Sequence, residues 1–463
     1  MKLRIERVSP EGDGLGRPDG GGKVFFVPHT APGDVVEANV TKLEKGFARA
    51  RVQALLQPGA DRVTPRCPLH FQVEKPQTAA CGGCDWQHLK ASAQLEGKRS
   101  MVRDCLFRIA KLREPEVEPT LAAPLDWRYR NKVQVPFGMA NGKVVAGFYA
   151  SGTHRIIDMP DCLVQPELSV KIVLKVKELA GTLGWRIYDE DKGTGWLRHV
   201  YVRTNAAGKA LAALVTRTED FPNEERAIDL MREAFPDLVG LHQNVQREKT
   251  PVVLGRAWRK LWGEDKIEEK LGHLRLAVSP EAFMQVNTPA TELLYALATE
   301  MLLSDGFKPS LVLDLYSGIG SIALWIAPKC GRVVGVEENR GAVEDAWANA
   351  RLNGMTNVRF LPGSVETALG KIRKELNSMP HGVAAAVLDP PRAGCTKPVL
   401  KALTDPALGR IVYVSCNPAT FARDADWLSR HGWRLARVKP VDLFPQTHHV
   451  ESVGLFLRWK PRS

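Results

Sequence analysis

The chain has 463 residues, a formal net charge of +12 at neutral pH and an isoelectric point near 9.3. That length allows about three domains and that charge suits a polyanionic partner. No apolar run reaches membrane-spanning length, the opening MKLRIERVSPEG lacks the apolar centre of a secretory signal, and eight cysteines without such a signal are expected in a reducing, cytoplasmic setting.

From residue 1 to 58, apolar and polar residues alternate between glycine and proline turns, which predicts a small five-stranded, OB-like β-barrel. Phe47, between Lys45 and Arg49, is a candidate for stacking on a base or for packing within the barrel.

Residues 59–124, together with a distant segment around Cys162, form a cysteine-bearing region. Cys67, Cys81 and Cys84 cluster in RCPLHFQVEKPQTAACGGCDWQH, and Cys162 sits in DMPDCLVQ. Four thiolates can hold an iron–sulfur cluster or a tetrahedral zinc, and Cys81 with Cys84 has the spacing of a redox pair. A redox pair is expected on a strand-to-helix turn, which this loop lacks. Thirteen residues separate Cys67 from Cys81. Such an insertion can loop out, since closure costs only about 0.6 kcal/mol per doubling of length; His70 is the alternative to Cys67 as a ligand. Cys105 and Cys330 lie in apolar surroundings and read as packing residues.

Residues 125–280 contain hairpin-like runs such as NKVQVPFGMANGKVVAGFYA and LRHVYVRTNAAGKALAALVTRT, which predict a central mixed α+β domain. Arg130, Asn131 and Lys132, and His154 with Arg155, read as solvated charges on edge strands or, by the family resemblance that the later motifs carry, as an RNA-facing surface.

The last region, 281–463, alternates buried strands with amphipathic helices. LVLDLY runs through the glycine turn of DLYSGIGS into IALWIA; RVVGVE ends in Glu337, VAAAVLDPPR contains Asp389, and RIVYVS precedes Cys416. The pattern is a parallel sheet with helices on both faces, and its ligands belong beyond the carboxyl ends of the strands, where Asp314, Glu337, Asp389 and Cys416 all fall. An acid about twenty residues after the glycine turn suits an adenosine ribose. A nicotinamide-binding domain shares this local pattern.

Four motifs in order, DLYSGIGS, VLDPPRAG, SCNPAT and LFPQTHHVES, resemble those of the RNA 5-methyluridine (uracil-C5) methyltransferase family, its ribosomal-RNA branch in particular. EAFMQVN, YRNKVQVPF and GFYASGTHRIIDMPDCLVQ extend the resemblance upstream, and the amino-terminal segment resembles a TRAM domain. The resemblance implies an α/β, Rossmann-like class I methyltransferase core, S-adenosyl-L-methionine as cofactor and RNA as partner, ribosomal RNA favoured and transfer RNA the alternative. No membrane and no obligate protein partner are implied.

It further implies that Cys416 adds as a thiolate to C6 of uridine, so that C5 becomes nucleophilic towards the methyl group, and that Glu451 removes the C5 proton afterwards. Asp389 would stand near both donor and base, and His449 would hold that loop or a substrate oxygen unless it is a structural histidine. Gln285, Tyr316, Ser321, Glu337, Ser364 and Asp389 would surround the cofactor, and Cys67, Cys81, Cys84 and Cys162 would hold a [4Fe-4S] cluster. The chain departs from the family pattern in the long Cys67–Cys81 spacer, in Ser317 where cysteine is common and in Ser321 where asparagine is common.

Three rival functions stay open: a non-catalytic RNA-binding protein on a methyltransferase scaffold, an RNA cytosine-C5 methyltransferase and a small-molecule methyltransferase. Cytosine enzymes of the DNA type carry their nucleophile in the loop after the DPP-like strand; Cys395 lies five residues beyond Pro390 and does not match that position. The cysteine spacing also differs from the Cys-x3-Cys-x2-Cys of radical S-adenosylmethionine enzymes.

Overall fold

Short strands between glycine and proline turns close the amino-terminal segment into a barrel, as the alternation requires. The computed structural model describes residues 1–377 and 379–459. Strands β1 (Lys2–Val8), β2 (Gly14–Arg17), β3 (Val24–Val27), β4 (Val35–Leu43) and β5 (Phe47–Gln57) form a closed barrel in the order β1-β2-β3-β5-β4. Leu3, Ile5, Val27, Val36 and Ala48 point inward and are buried.

Helix α1 (Ala91–Arg108) follows, and it packs chiefly on the carboxyl-terminal region rather than on the barrel. Its Met101, Val102 and Leu106 join Trp86 in one core with Leu313, Tyr413 and Phe421. Full burial of a side chain such as Leu106 is worth about 1.5–3 kcal/mol, so this helix ties the cysteine-bearing segment to the last domain.

The central sheet has the order β12-β11-β10-β9-β6-β7-β8. Its elements are β6 (Lys132–Ala140), β7 (Lys143–Tyr149), β8 (Ile156–Asp158), α2 (Glu167–Thr182), β9 (Leu197–Thr204), β10 (Ala210–Thr216), α3 (Glu224–Ala234), β11 (Leu238–Val245) and β12 (Ala257–Gly263). Strands β9 and β10 are buried along their whole length. Val200, Val202, Ala212 and Leu214 share a core with α2, while Tyr201, Leu211 and Ala213 face the carboxyl-terminal domain. Both faces are therefore covered, which accounts for the unbroken apolar run in β10.

A hairpin, β13 (Ile267–Leu271) and β14 (Leu274–Val278), packs into the carboxyl-terminal core, and α4 (Thr288–Leu303) leads into the last sheet. There follow β15 (Leu311–Leu315), α5 (Ser321–Ile326), β16 (Arg332–Glu337), α6 (Arg340–Leu352), β17 (Val358–Pro362), α7 (Val365–Asn377), β18 (Ala384–Leu388), α8 (Lys397–Ala402), β19 (Leu408–Ser415), α9 (Pro418–Ser429), β20 (Trp433–Val441) and β21 (Glu451–Arg458).

The order is β17-β16-β15-β18-β19-β21-β20, parallel from β17 to β19 and antiparallel for the last two strands. Strand order reverses between β15 and β18, and a crevice forms there at the carboxyl ends. VRFLP, which becomes β17, and the two antiparallel strands β20 and β21 add to the four strands read from apolar runs; β20 mixes Arg434, Arg437 and Lys439 among its apolar residues, which hides it from that criterion.

Candidate active site and cysteine cavity

The turn after β15 is built by backbone that few side chains tolerate. Tyr316, Gly318 and Gly320 have φ of 69°, 53° and 80°, and a Cβ at Gly335 on the neighbouring strand would meet the Phe360 ring at 2.5 Å. Asp314 is fully buried; its Oδ2 accepts the Ala323 N–H at 2.9 Å at the start of α5. Its Oδ1 has no partner among the described residues, and burial pushes its carboxyl up to about 8. Glu337, at the end of β16, accepts the N–H groups of Gly318 (2.9 Å) and Asn339 (2.8 Å). A carboxylate has about four lone-pair positions, so acceptor capacity remains for two hydroxyls.

The buried Ser317 hydroxyl also lacks a partner among the described residues, and these unfilled polar atoms and the cramped turn fit an adenosyl-type ligand. The Ser321 hydroxyl is tied to Tyr295 at 2.8 Å, and Ser364 caps the first turn of α7 by accepting the Thr367 N–H at 3.3 Å.

Cys416 and Glu451 are brought together by strand register. Ser415 at the end of β19 pairs with Ser452 near the start of antiparallel β21, so the next residue on one strand stands beside the preceding residue on the other. Asp389 follows β18, whose Leu388 pairs with Tyr413 of β19 and with Leu315 of β15. The thiol, the two carboxyl groups and the glycine turn thus share one edge of the sheet.

Gln285 donates to Asp389 Oδ2 at 3.5 Å, and burial raises Asp389 to about 7. Glu451 is buried with Oε2 unpartnered among the described residues; burial and the adjacent Asp389 raise it well above the usual carboxylate range. Cys416 is half-buried, and burial followed by the charges of Glu451 and Asp389 pushes its thiol up to about 11, against the opposing effect of Arg392. Arg392 also approaches His449, Nη2 to Nδ1 3.3 Å. Arg392 was not singled out from the sequence; a lone cation in DPPR, amid acids, was the available signal.

The loop 442–450 that delivers Glu451 is fastened by the amino-terminal half of the chain. Lys98, fully buried, pairs with Asp442 at 2.5 Å and donates to the Phe444 carbonyl at 3.0 Å. Tyr129 donates to the Pro445 carbonyl at 2.9 Å, the Trp86 N–H to the Gln446 carbonyl at 3.0 Å, and Gln94 exchanges bonds with Gln446 at 2.9 and 3.1 Å. Asp85 accepts the His448 N–H at 3.1 Å and contacts His448 Nδ1. Asp85 adjoins Cys84, so the cysteine segment and the loop that leads into Glu451 are one construction.

Cys67, Cys81, Cys84 and Cys162 line a single cavity of about 240 Å³ with Leu69, Phe148 and other largely apolar side chains. All four are free thiols. The long Cys67–Cys81 spacer folds as turns, and the Cys81 N–H bonds the Leu69 carbonyl at 2.8 Å, which returns the chain to the cavity. A four-thiol donor set in apolar walls fits a thiolate-ligated metal group.

Other residues singled out from the sequence separate. Asn131 is buried and donates to the Gln285 carbonyl (3.2 Å) and Thr288 Oγ1 (2.9 Å), so it is a structural bond rather than part of a nucleic-acid face. Lys132 is half-buried near the Tyr201 ring, whereas His154 and Arg155 are exposed. Phe47 is 36% exposed and packs edge-on against Phe26, with Arg49 over that ring. Cys395 is buried, its N–H bonded to Asp424 at 2.8 Å.

Residues 246–460 match the family model described as tRNA (Uracil-5-)-methyltransferase, and residues 1–53 match the TRAM domain. An uncharacterized RNA methyltransferase of Halalkalibacterium halodurans is 40% identical over 456 residues, covering 98% of this chain and 96% of that protein. One from Listeria monocytogenes is 40% identical over 457 residues, with coverage of 98% and 96%. The crystal structure of Pyrococcus abyssi tRNA (uracil-54, C5)-methyltransferase in complex with S-adenosyl-L-homocysteine superposes with a TM-score of 0.74 at 26% identity, covering 99% of this chain and 100% of that one. Among the described residues no helix is long and apolar enough to cross a membrane. With its barrel, its methyltransferase sheet and full-length similarity to these proteins, the chain belongs to the RNA uracil-5-methyltransferase family.

Proposed function

We propose that this methyltransferase modifies C5 of one uridine in a structured RNA, with Cys416 as nucleophile and Glu451 as base. The observation that supports this best is the strand register that sets Cys416 beside Glu451, with Asp389 one strand away. C5 of uracil is a weak carbon nucleophile. Addition of the Cys416 sulfur to C6 moves an electron pair towards C5 and O4, and C5 then attacks the methyl group. S-adenosyl-L-methionine supplies that methyl group as an electrophile. Glu451 takes the C5 proton, the C5=C6 double bond re-forms and the thiolate leaves. A carboxyl raised by burial and by Asp389 is a stronger base than a solvated one, which suits a weakly acidic carbon.

Gln285, Tyr316, Ser321, Glu337, Ser364 and Asp389 are the proposed cofactor shell, Glu337 taking the ribose hydroxyls and Ser364 acting at the periphery. The target uridine must be flipped or unpaired, because C6 is inaccessible within a stacked helix. Cys67, Cys81, Cys84 and Cys162 are the proposed ligands of a [4Fe-4S] cluster whose role is structural, since they shape the segment that fastens loop 442–450. Reversible reduction that altered methyl transfer without unfolding the protein would argue for a redox role instead.

Ribosomal RNA is the favoured substrate class, on the strength of the barrel combined with the cysteine set. Transfer RNA is the second reading, favoured by the specificity named for the P. abyssi neighbour. The deciding experiment incubates purified protein and isotope-labelled S-adenosylmethionine with separated ribosomal and transfer RNA from a strain lacking the enzyme, followed by nucleoside mass spectrometry. Labelled 5-methyluridine in one fraction supports the reading and selects the RNA; label on cytidine, or none in either fraction, overturns it.

A further inference from the structure

Where the barrel meets the cysteine segment, three histidines converge from separate stretches of chain. His29 leaves the barrel after β3, while His70 and His88 flank the Cys81–Cys84 turn. One ring nitrogen of each lies within 4.8 Å of the other two. His70 and His88 are 3% and 2% exposed. Four ring nitrogens, His29 Nδ1, His70 Nε2 and both of His88, are buried without a hydrogen-bond partner among the described residues.

Ring packing explains only part of this arrangement. His29 stacks on Phe71 at 4.7 Å, and the His29–His70 and His70–His88 ring centres lie 5.5 and 5.7 Å apart. An unpaired buried nitrogen costs about 1–3 kcal/mol, and packing alone leaves several together. His70 carries a further sign. Its Nδ1 lies 2.9 Å from the Phe71 carbonyl, and the tautomer that donates there leaves the Nε2 lone pair free. A backbone carbonyl that fixes the ring in this way is a recurrent support for metal-bound histidine.

The surrounding charges are compatible with a cation. Arg62 is the basic group facing the three rings. It is already engaged by Asp34, with contacts down to 2.7 Å, and by the His29 carbonyl at 2.8 Å. The Asp85 carboxylate and then its backbone favour positive charge at His29 and His70, and the Thr30 backbone does so at His88.

We propose that His29, His70 and His88 form a second metal site, for a divalent transition ion of the zinc type, that clamps the RNA-binding barrel to the cysteine segment. Three neutral imidazoles without a thiolate select zinc, cobalt, nickel or copper over magnesium or calcium. The His70 ring also lines the four-cysteine cavity, so the two sites adjoin, but the three-histidine site takes none of the four thiols as a ligand. Its expected output is mechanical, in that metal occupancy raises the stability of the barrel junction.

The test uses full-length protein with its iron content recorded. The chain is equilibrated with Co²⁺ and freed of loose metal, and metals per chain and the visible spectrum are measured, with Zn²⁺ then used to displace the cobalt. Thiolate-bound cobalt has strong sulfur-to-metal charge-transfer bands, so their absence separates this site from the cysteines. The expected result is one cobalt per chain, with ligand-field bands free of charge transfer, displaced by zinc together with an upward shift in melting temperature. His29→Asn, which suits the left-handed backbone at φ 61°, should abolish the binding with iron content and circular dichroism unchanged. His70→Asn provides the second variant from the other side of the junction. The proposal is overturned if the wild type retains no cobalt, if the retained cobalt shows charge-transfer bands, or if both variants bind as the wild type does.

Discussion

The chain holds two sites built around cysteine, and burial pushes a thiol up to about 11 in each, Cys416 at the end of β19 and Cys81 in the amino-terminal cavity. Their neighbours differ. Around Cys416 stand two carboxyl groups, which can exchange protons with a reacting base, and a guanidinium, which stays positively charged. Around Cys81 stand Cys67, Cys84 and Cys162 in largely apolar walls. On the proposed reading the same side chain serves transient covalent chemistry in one place and permanent ligation in the other, and neighbouring donors, rather than the thiol itself, set which chemistry it performs.

The largest contrast should come from removing one thiol from each site. Cys416→Ser is expected to abolish both the RNA adduct and methyl transfer while leaving the melting temperature near that of the wild type. Cys84→Ser should lower bound iron and thermal stability together, with activity falling as the fold does. The opposite pattern, in iron assay and calorimetry, would exchange the roles of the two sites.

Glu451→Gln keeps the nucleophile and removes the base. Turnover should fall by about 10²–10⁴-fold while a covalent protein–RNA band accumulates on denaturing gels, and wild-type turnover would remove Glu451 from the reaction. Lys98→Met tests the link between the two regions. It strands the buried Asp442 carboxylate, so chemical denaturation should register a loss of about 3–5 kcal/mol. It also releases the Phe444 carbonyl, so methyl transfer should fall even where the protein remains folded.

The smallest effects should appear in thiol reactivity. Because burial pushes the Cys416 thiol up to about 11, its thiolate fraction rises with pH throughout the neutral and mildly alkaline range. Alkylation of the Cys416 peptide by iodoacetamide, followed by mass spectrometry, should accelerate accordingly. At a pH high enough to ionise Glu451, Glu451→Gln removes a negative neighbour and should speed alkylation; Arg392→Gln removes the opposing cation and should slow it. Each unit of pKa shift corresponds to roughly a tenfold change in thiolate. Equal rates in the three proteins would mean that these charges do not reach the sulfur.

Much of this organisation was legible in the residues. Alternation between glycine turns marked the barrel, and apolar runs ending in Asp314, Glu337 and Asp389 marked the parallel sheet. The family and its cofactor class were readable from four ordered motifs, because a sharp strand-to-helix turn needs glycine and because covalent catalysis needs a thiol and a base. Those requirements are local, and local requirements leave local traces.

Pairings between distant segments left no such trace. Cys162 lies 78 positions beyond Cys84, and Lys98 lies 344 positions before Asp442; an isolated cysteine or lysine looks the same whether it faces solvent or a partner. Asn131 read as a surface residue because its environment is a carbonyl supplied by Gln285 from another domain. The sequence by itself determined the barrel, four strands of the parallel sheet, the family and the kinds of reactive group. Tertiary structure alone decided that Cys416 stands beside Glu451, that four cysteines share one cavity, and that the cysteine segment fastens the base loop. Side-chain chemistry is a property of single residues, whereas burial and proximity are set by sheet register and by helices packing across the whole chain.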